Sequence, residues 1–247
     1  MEMHRVLVAG GTGRTGKAVV RYLTQRSDLQ VVGVVSRTYA GRNMSELIPE
    51  IPYEIPVFDR AERAVGVVKP TVLVDFTTPE TAMRHFLLCI DHRIHPIIGT
   101  TGFTASDKQF IADMCRVNEL GGALIANFAL GIAIMQQALA LAAEVFNHAV
   151  VIDYYSDQKR EVPSGTSQQL SEFLAQFDNY KTKPVPIYSF RIPGQHVSQQ
   201  VKFGGFGETL TIIHEVSDRI CFGPGVAQAI LNIHRFNCLV TDLRVLL

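Results

Sequence analysis

The sequence predicts an α/β protein in which a parallel sheet covered on both faces is followed by an α+β domain with a mainly antiparallel sheet. Three observations carry this. Over the first half of the chain, short continuous apolar runs alternate with helical patterns, as strands buried on both faces require. A glycine turn joins the first strand to the first helix. Past residue 127 the texture changes to a long Ala-rich helix and then to strands with period-two alternation.

In chain order, Val6 to Ala9 reads as a strand and Lys17 to Gln25 as a helix, with Val19, Val20 and Leu23 on one face. Val31 to Val35 is a second strand. Val72 to Phe76 is another, followed by a helix from Pro79 to Asp91; Pro96 to Ile98 precedes a helix from Ser106 to Leu120. Ala123 to Ile125 closes the parallel series. The second part begins with a helix from Leu130 to Val145, a strand over 150–155 and a helix over 167–177. A polar stretch with Pro184, Pro186 and Pro193 follows and reads as loop. Val197 to Phe203 and Leu210 to Val216 alternate as antiparallel strands do, and Gly223 to Phe236 is a final helix.

The chain has 247 residues, 47% hydrophobic and 19% charged, which suits a packed core and argues against disorder. Lys plus Arg and Asp plus Glu both number 23, and this balance argues against nucleic acid or an anionic membrane as a partner. The cysteines at 89, 115, 221 and 238 lack the spacing of a zinc site or redox motif, so no metal is expected. They read as reduced, mostly buried thiols in a cytoplasmic protein. Met1 to Arg5 shows no signal-peptide pattern, and no uncharged apolar stretch reaches membrane-spanning length.

The turn after the first strand, Gly10-Gly11-Thr12-Gly13-Arg14-Thr15-Gly16, has the context of a dinucleotide-binding loop, which makes the sheet Rossmann-like and doubly wound. Gly10 allows the tight turn, Gly13 admits a pyrophosphate, and Gly16 lets the helix approach the sheet; Thr12 replaces the usual middle glycine. The second strand ends at Ser36-Arg37-Thr38 without the acid that holds ribose hydroxyls in NAD-selective sites. Arg37 faces a 2′-phosphate instead, with Arg42 or Ser36 assisting, so NADPH is the expected cofactor and NADH an acceptable one. Thr77-Thr78-Pro79-Glu80, Gly99-Thr100-Thr101-Gly102-Phe103 and Asn127-Phe128 follow later strands and form the rest of the ligand rim.

Lys159-Arg160-Glu161-Val162-Pro163-Ser164-Gly165-Thr166 lies between a strand and a helix. Free N–H groups, two hydroxyls and the positive end of the helix dipole would receive a small anion, and Lys159 adds a full charge.

In order, the glycine turn, Asp75-Phe76-Thr77-x-Pro79-Glu80, Gly99 to Phe103 and Lys159-x-x-x-Pro163-Ser164-Gly165-Thr166 resemble the dihydrodipicolinate reductase family. Ala126-Asn127-Phe128 matches its hinge strand, and Gly207-Glu208-x-Leu210 to His214 its C-terminal sheet. The resemblance covers almost the whole chain. It implies reduction of a cyclic unsaturated dicarboxylate by NAD(P)H in the diaminopimelate and lysine pathway. It further implies a dinucleotide-binding domain of residues 1–126 and 223–247, a substrate-binding and oligomerisation domain of residues 127–222, and a homotetramer built through C-terminal sheets. Gly10 to Gly16, Arg37, Thr77, Gly99, Thr100, Thr101, Ala126, Asn127 and Phe128 would contact the cofactor. Ser164, Gly165 and Thr166 would hold one substrate carboxylate, and Lys159 matches the catalytic lysine.

The chain departs from the family just before that lysine. Where the family carries a His-His pair, Tyr155 and Ser156 stand here. Glu161-Val162 replaces the usual Asp-Ala, and Thr78 replaces an arginine. A tyrosine stays protonated at neutral pH and can donate, though it is a weaker acid than imidazolium. The expected roles are Lys159 as the main catalytic group, Tyr155 as proton donor or positioning group, and Ser156 as a substrate ligand. A remote histidine, His196 or His214, could serve in the fold. Two other readings stay open: a paralogue reducing another small cyclic imine or carboxylate, and a non-catalytic NAD(P)-binding homologue.

Overall fold

The computed structural model describes residues 3–247, which divide into two compact units, residues 3–130 with 219–247, and residues 131–218. In the first unit, seven strands form one parallel sheet: β1 (His4–Ala9), β2 (Leu29–Val35), β3 (Val57–Phe58), β4 (Val72–Asp75), β5 (His95–Ile98), β6 (Gly122–Leu124) and β11 (Leu239–Val240), in the order β11-β6-β5-β4-β1-β2-β3. From β1 the chain winds outward through β2 and β3, then resumes on the other side of β1 with β4, β5 and β6. The direction therefore reverses between β1 and β4, where an open sheet leaves a crevice at its carboxyl ends.

Val6, Leu7, Val8 and Ala9 are fully buried, as central strands covered on both faces must be. α1 (Arg14–Leu23) buries Gly16, Val19, Val20 and Leu23. α2 (Ala61–Val68) packs Ala61, Ala64, Val65 and Val68 onto Leu7 and Leu73. α3 (Pro79–His92) opens with proline at its first position, which needs no N–H there, and ends at Arg93 in a left-handed conformation. α4 (Ala105–Val117) starts with a capping box between Thr104 and Asp107. α7 (Phe222–Asn232) packs beside α1, where a Cβ at Gly223 would lie 2.3 Å from the Tyr22 ring.

The second unit holds α5, which spans Leu130–Val145 and so straddles the boundary, with β7 (His148–Tyr155), α6 (Gly165–Leu174), β8 (Ile187–Arg191), β9 (Val197–Gly205) and β10 (Glu208–Val216). Its sheet has the order β10-β9-β7-β8; β10–β9 and β9–β7 are antiparallel and β7–β8 is parallel. Alternation sorts the faces. Val151, Asp153, Gln199, Val201 and Phe203 are buried on one face; Tyr188, Phe190 and Ile213 are exposed on the other.

The structure adds elements that the sequence pattern does not reveal: β3, α2, β11 and, inside the supposed loop between Pro186 and Pro193, β8. α1 begins three residues earlier than expected, at Arg14, and α6 two residues earlier, at Gly165. Cys89 and Cys115 are buried, and burial pushes the Cys115 thiol up to about 12, but Cys238 is exposed. Among the described residues no helix is long and apolar enough to cross a membrane.

Candidate functional site

At the nucleotide end, Gly10 has φ +73°, and a Cβ there would lie 2.4 Å from the Phe76 carbonyl oxygen. A Cβ at Gly16 would lie 2.2 Å from the Gly10 oxygen, so the helix reaches the turn only because position 16 is glycine. The Gly13 N–H donates to the Gly10 oxygen at 2.9 Å, and the Thr12 hydroxyl donates to Ser36 Oγ at 2.7 Å, tying the turn to the end of β2. Gly13 is the N-cap of α1 and offers no side-chain cap, which leaves the first-turn N–H groups to an external acceptor. Thr12 thus replaces the middle glycine without filling the approach; its side chain is turned to β2.

Asp75, fully buried at the end of β4, organises the two neighbouring loops. One carboxylate oxygen accepts from the Thr77 N–H (2.9 Å), the Thr77 hydroxyl (2.6 Å) and the Thr100 hydroxyl (2.9 Å); the other meets His85 Nδ1 at 2.6 Å. Four partners offset the cost of burying this group. They also fix Thr77 and Thr100 relative to each other, and Gly99 passes so near Phe76 that a Cβ would lie 2.2 Å from its ring. Ala126 and Thr101 are exposed at this rim. The Asn127 side chain accepts from the Ala129 N–H at 2.9 Å. The Phe128 ring is buried edge-on to Phe76, and its carbonyl oxygen would lie 2.0 Å from a Cβ at Gly225, so Phe128 supports the rim from beneath.

A cavity of about 470 Å³ lies along this edge, lined by Gly10, Ser36, Arg37, Arg60, Thr77 and Arg84 among others. Arg42, expected to assist Arg37, instead binds Glu46 at 2.8 Å and is not part of the lining. Arg60 takes its place beside the cavity, brought there by the short strand β3 that the sequence pattern does not show.

In the second unit, Ser164 caps α6: its hydroxyl accepts from the Ser167 N–H at 3.2 Å and pairs with Ser167 Oγ at 2.9 Å. Ser164 is 1% exposed, so its hydroxyl is turned inward. The outward part of the cradle is the helix start itself, at Gly165 and Thr166. The Ser164 N–H donates to Asp153 Oδ2 at 3.0 Å, and Arg191 Nη1 donates to Asp153 Oδ1 at 2.7 Å. Burial alone would raise the Asp153 carboxyl; the Arg191 guanidinium and the Ser164 N–H outweigh it and hold the group below the usual carboxylate range. Arg191 also donates to the Lys159 oxygen at 3.2 Å and the Glu161 oxygen at 2.8 Å, fastening the loop that carries Lys159 to β8.

Lys159 Nζ is paired with Glu161 Oε2 at 2.5 Å, and the other Glu161 oxygen lies 4.0 Å from where a Gly165 Cβ would be. The Tyr155 ring has Lys159 Nζ 5.7 Å and Arg191 Cζ 5.1 Å from its centroid. Its hydroxyl accepts from Gln199 Nε2 at 2.8 Å, and Gln199 Oε1 lies 3.4 Å from His214 Nδ1. The fold thus links His214, one of the two remote histidines, to Tyr155 through Gln199. Ser156 Oγ accepts from the Gln158 N–H at 3.2 Å, which shapes the turn before Lys159. Asp153, Arg191 and Gln199 were not singled out by sequence. The available signal was that Ile187, Ser189 and Arg191 share a strand face, obscured by the flanking prolines.

Comparison with known proteins agrees over the full length. The family model described as the N-terminus of dihydrodipicolinate reductase matches residues 4–128, and that described as its C-terminus matches residues 131–247. The chain is 33% identical to 4-hydroxy-tetrahydrodipicolinate reductase of Geobacillus thermodenitrificans over 98% of both chains. It is 32% identical to that of Trichormus variabilis over 98% of this chain and 97% of the other. The solved structure of dipicolinate-bound dihydrodipicolinate reductase from Paenisporosarcina sp. TG-14 has a TM-score of 0.84 at 30% identity, covering 100% of both chains. An amine dehydrogenase from Mycobacterium smegmatis, 11% identical, shares the fold at a TM-score of 0.72. With a glycine turn after β1, a lysine loop leading into α6, and family matches spanning both units, the chain belongs to the dihydrodipicolinate reductase family.

Proposed function

We propose that this protein reduces 4-hydroxy-tetrahydrodipicolinate to tetrahydrodipicolinate with NADPH, in the diaminopimelate route to lysine. The observation that carries this reading is Lys159 held beside the start of α6 by the Arg191–Asp153 clamp. The helix-start N–H groups of Gly165 and Thr166, which the Ser164 cap does not use, and a cation are what a ring carboxylate needs. The net reaction consumes one NADPH and one proton and releases NADP⁺ and water; the cofactor, when bound, supplies the hydride. Gly165 and Thr166 bind the carboxylate, while Ser164 serves by capping and orienting them. Lys159 stabilises the negative charge that develops on the ring, and the Tyr155 hydroxyl delivers the proton. Ser156 sets the turn and keeps its hydroxyl proton available to the substrate.

The cofactor would lie on the glycine turn, with the loops at Thr77, Gly99 to Thr101 and Ala126 to Phe128 around it. Glycines that no Cβ could replace and an uncapped α1 fit a pyrophosphate. Arg37 and Arg60 beside the cavity favour a 2′-phosphate, hence NADPH over NADH. The nucleotide domain is residues 1–126 with 223–247 and the substrate domain residues 127–222. The exposed face carrying Tyr188, Phe190 and Ile213 supports assembly into a homotetramer through this sheet. The buried thiols of Cys89 and Cys115 accord with a cytoplasmic setting.

The test is NADPH oxidation in the presence of freshly generated 4-hydroxy-tetrahydrodipicolinate. Turnover by the wild type with a loss of ~10²–10⁴ in Lys159→Ala is the expected result. No turnover by the wild type would refute the activity, and a near-wild-type Lys159→Ala would refute the role of the lysine.

A further inference from the structure

One polar row crosses three strands of the second unit on the covered face of its sheet. Asp153 on β7 is the register partner of Gln199 on β9, and Gln199 is the partner of His214 on β10. Tyr155 lies two residues beyond Asp153 and so projects to the same face. Gln199 is 2% exposed, and a buried amide must find partners for both ends. Its N–H donates to Tyr155 Oη at 2.8 Å, and its carbonyl oxygen faces His214 Nδ1 at 3.4 Å.

This arrangement has a direction. An amide can turn either end toward a phenol; with the oxygen toward Tyr155 it would accept the phenolic proton and withdraw it. Here the oxygen faces His214 Nδ1 and the N–H faces Tyr155 Oη. Burial lowers the His214 pKa and so favours the neutral ring, and with the Gln199 oxygen facing it the matching tautomer carries its proton on Nδ1. Its position is fixed by α5, because a Cβ at Gly131 would lie 2.4 Å from His214 Cδ2 and 2.6 Å from Nε2. The amide therefore presents N–H to Tyr155. A phenol that accepts a hydrogen bond still has its single proton to give, and gives it elsewhere. The N–H aimed at Oη also opposes the negative charge that grows there as the proton leaves.

We propose that Gln199, oriented by His214, is a positioning residue that commits the Tyr155 hydroxyl to donating its proton to the bound dicarboxylate ring. This rests on the functional reading above, in which Tyr155 replaces the histidine of the family. In the step itself the O–H bond of Tyr155 breaks, a bond to hydrogen forms on the substrate, and water returns the proton to the phenolate.

The experiment is a double-mutant cycle on the full-length protein with Gln199→Met, Tyr155→Phe and the pair, read in two ways. The first reading is steady-state turnover with NADPH. The second is calorimetric binding of pyridine-2,6-dicarboxylate, which needs no turnover. Gln199→Met keeps side-chain length and removes both amide contacts, to Tyr155 Oη and to His214 Nδ1; Gln199→Glu is the second variant, nearly the same size, but its carboxylate accepts a hydrogen bond from the Tyr155 hydroxyl. The expected result is that each Gln199 variant loses at least ~10-fold in kcat with KM for NADPH unchanged, and that the double variant is no worse than Tyr155→Phe alone. Wild-type kcat in either folded variant, or losses that multiply in the double variant, would overturn the proposal. Should the wild type bind the pyridine dicarboxylate but reduce nothing, the functional reading fails, and the binding cycle still decides the inference: non-additive losses in affinity sustain the committed hydroxyl, and additive or absent losses refute it.

Discussion

Arg191 on β8 and Asp153 on β7 form an ion pair of 2.7 Å in which the carboxylate is fully buried and the guanidinium side chain only 15% exposed. Each has further partners: Asp153 receives the Ser164 N–H, and Arg191 holds the carbonyls of Lys159 and Glu161. One pair thus joins the strand, the cap of α6 and the lysine loop. Removing the cation leaves a charge with no solvent to return to. Arg191→Met is expected to destabilise the second unit by ~3–5 kcal/mol, the cost of an uncompensated buried charge. Arg191→Lys keeps the charge but not the fork that reaches two carbonyls, so it is expected to lose less stability while still raising KM for the dicarboxylate. Urea unfolding with steady-state kinetics separates the effects; an Arg191→Met protein as stable as the wild type would rule out a structural clamp.

With Lys159 in its proposed role, Glu161 would compete with the substrate for it. Its carboxylate holds Nζ at 2.5 Å and sits next to the start of α6. Both side chains are well exposed, at 36% and 57%, so the pair contributes ~0–1 kcal/mol after solvent screening. A dicarboxylate that must displace it is weakened by at most about fivefold. Glu161→Gln is therefore expected to lower KM for the dicarboxylate two- to fivefold at low ionic strength, with little change at high salt. An increase in KM would show that Glu161 organises the lysine for binding rather than occupying it.

The parts of the fold legible in the sequence are those where one local pattern suffices. β1, β4 and β5 are apolar runs buried on both faces, and Gly10 and Gly16 stand where no Cβ can go. α2 escaped because Val65, Gly66, Val67 and Val68 are poor helix formers; burial of Val65 and Val68 on the sheet overrides that preference. β8 escaped because its flanking prolines read as loop, although Tyr188 and Phe190 alternate with Ser189 and Arg191. The lysine and the helix start of the candidate site are contiguous in sequence and were readable. Arg191, Gln199 and His214 lie on three later strands, and only strand register brings them to Asp153 and Tyr155.

The proposed preference for NADPH rests on Arg37. It lines the cavity at the end of β2 together with Arg60, while Arg42 is engaged with Glu46. A charge-assisted hydrogen bond to a phosphate contributes ~1.5–3 kcal/mol, or roughly 10- to 100-fold in affinity. Arg37→Ala is expected to raise KM for NADPH by about that factor and to leave KM for NADH nearly unchanged. Arg60→Ala should act in the same direction, and Arg42→Ala should not. Equal losses for both cofactors in Arg37→Ala would mean that the residue shapes the cavity without reading the 2′-phosphate.

Three histidines are expected to make the fold sensitive to mild acid. Burial lowers the pKa of His4, helped by His234, whose ring centroid is 5.6 Å away, and by His95. Burial also lowers His95 and His214, with the His95 bond to the Gly121 oxygen at 2.9 Å opposing it only in part. In each case the folded state binds its proton less readily than the unfolded chain, where histidine titrates near ~6.5. Stability contributed by these neutral rings is thus fully present above about pH 6.5 and is lost as pH falls through the lower folded-state values. Asp153, depressed below the usual carboxylate range, adds a separate loss only at more acidic pH, below ~4. The melting temperature is expected to fall from about pH 7.5 to about pH 5.5, before any carboxylate titrates, and the slope should be shallower in His95→Gln, which keeps a donor for the Gly121 oxygen but cannot be protonated. A melting temperature flat over that interval, or an unchanged slope in His95→Gln, would place the acid sensitivity in the carboxylates instead.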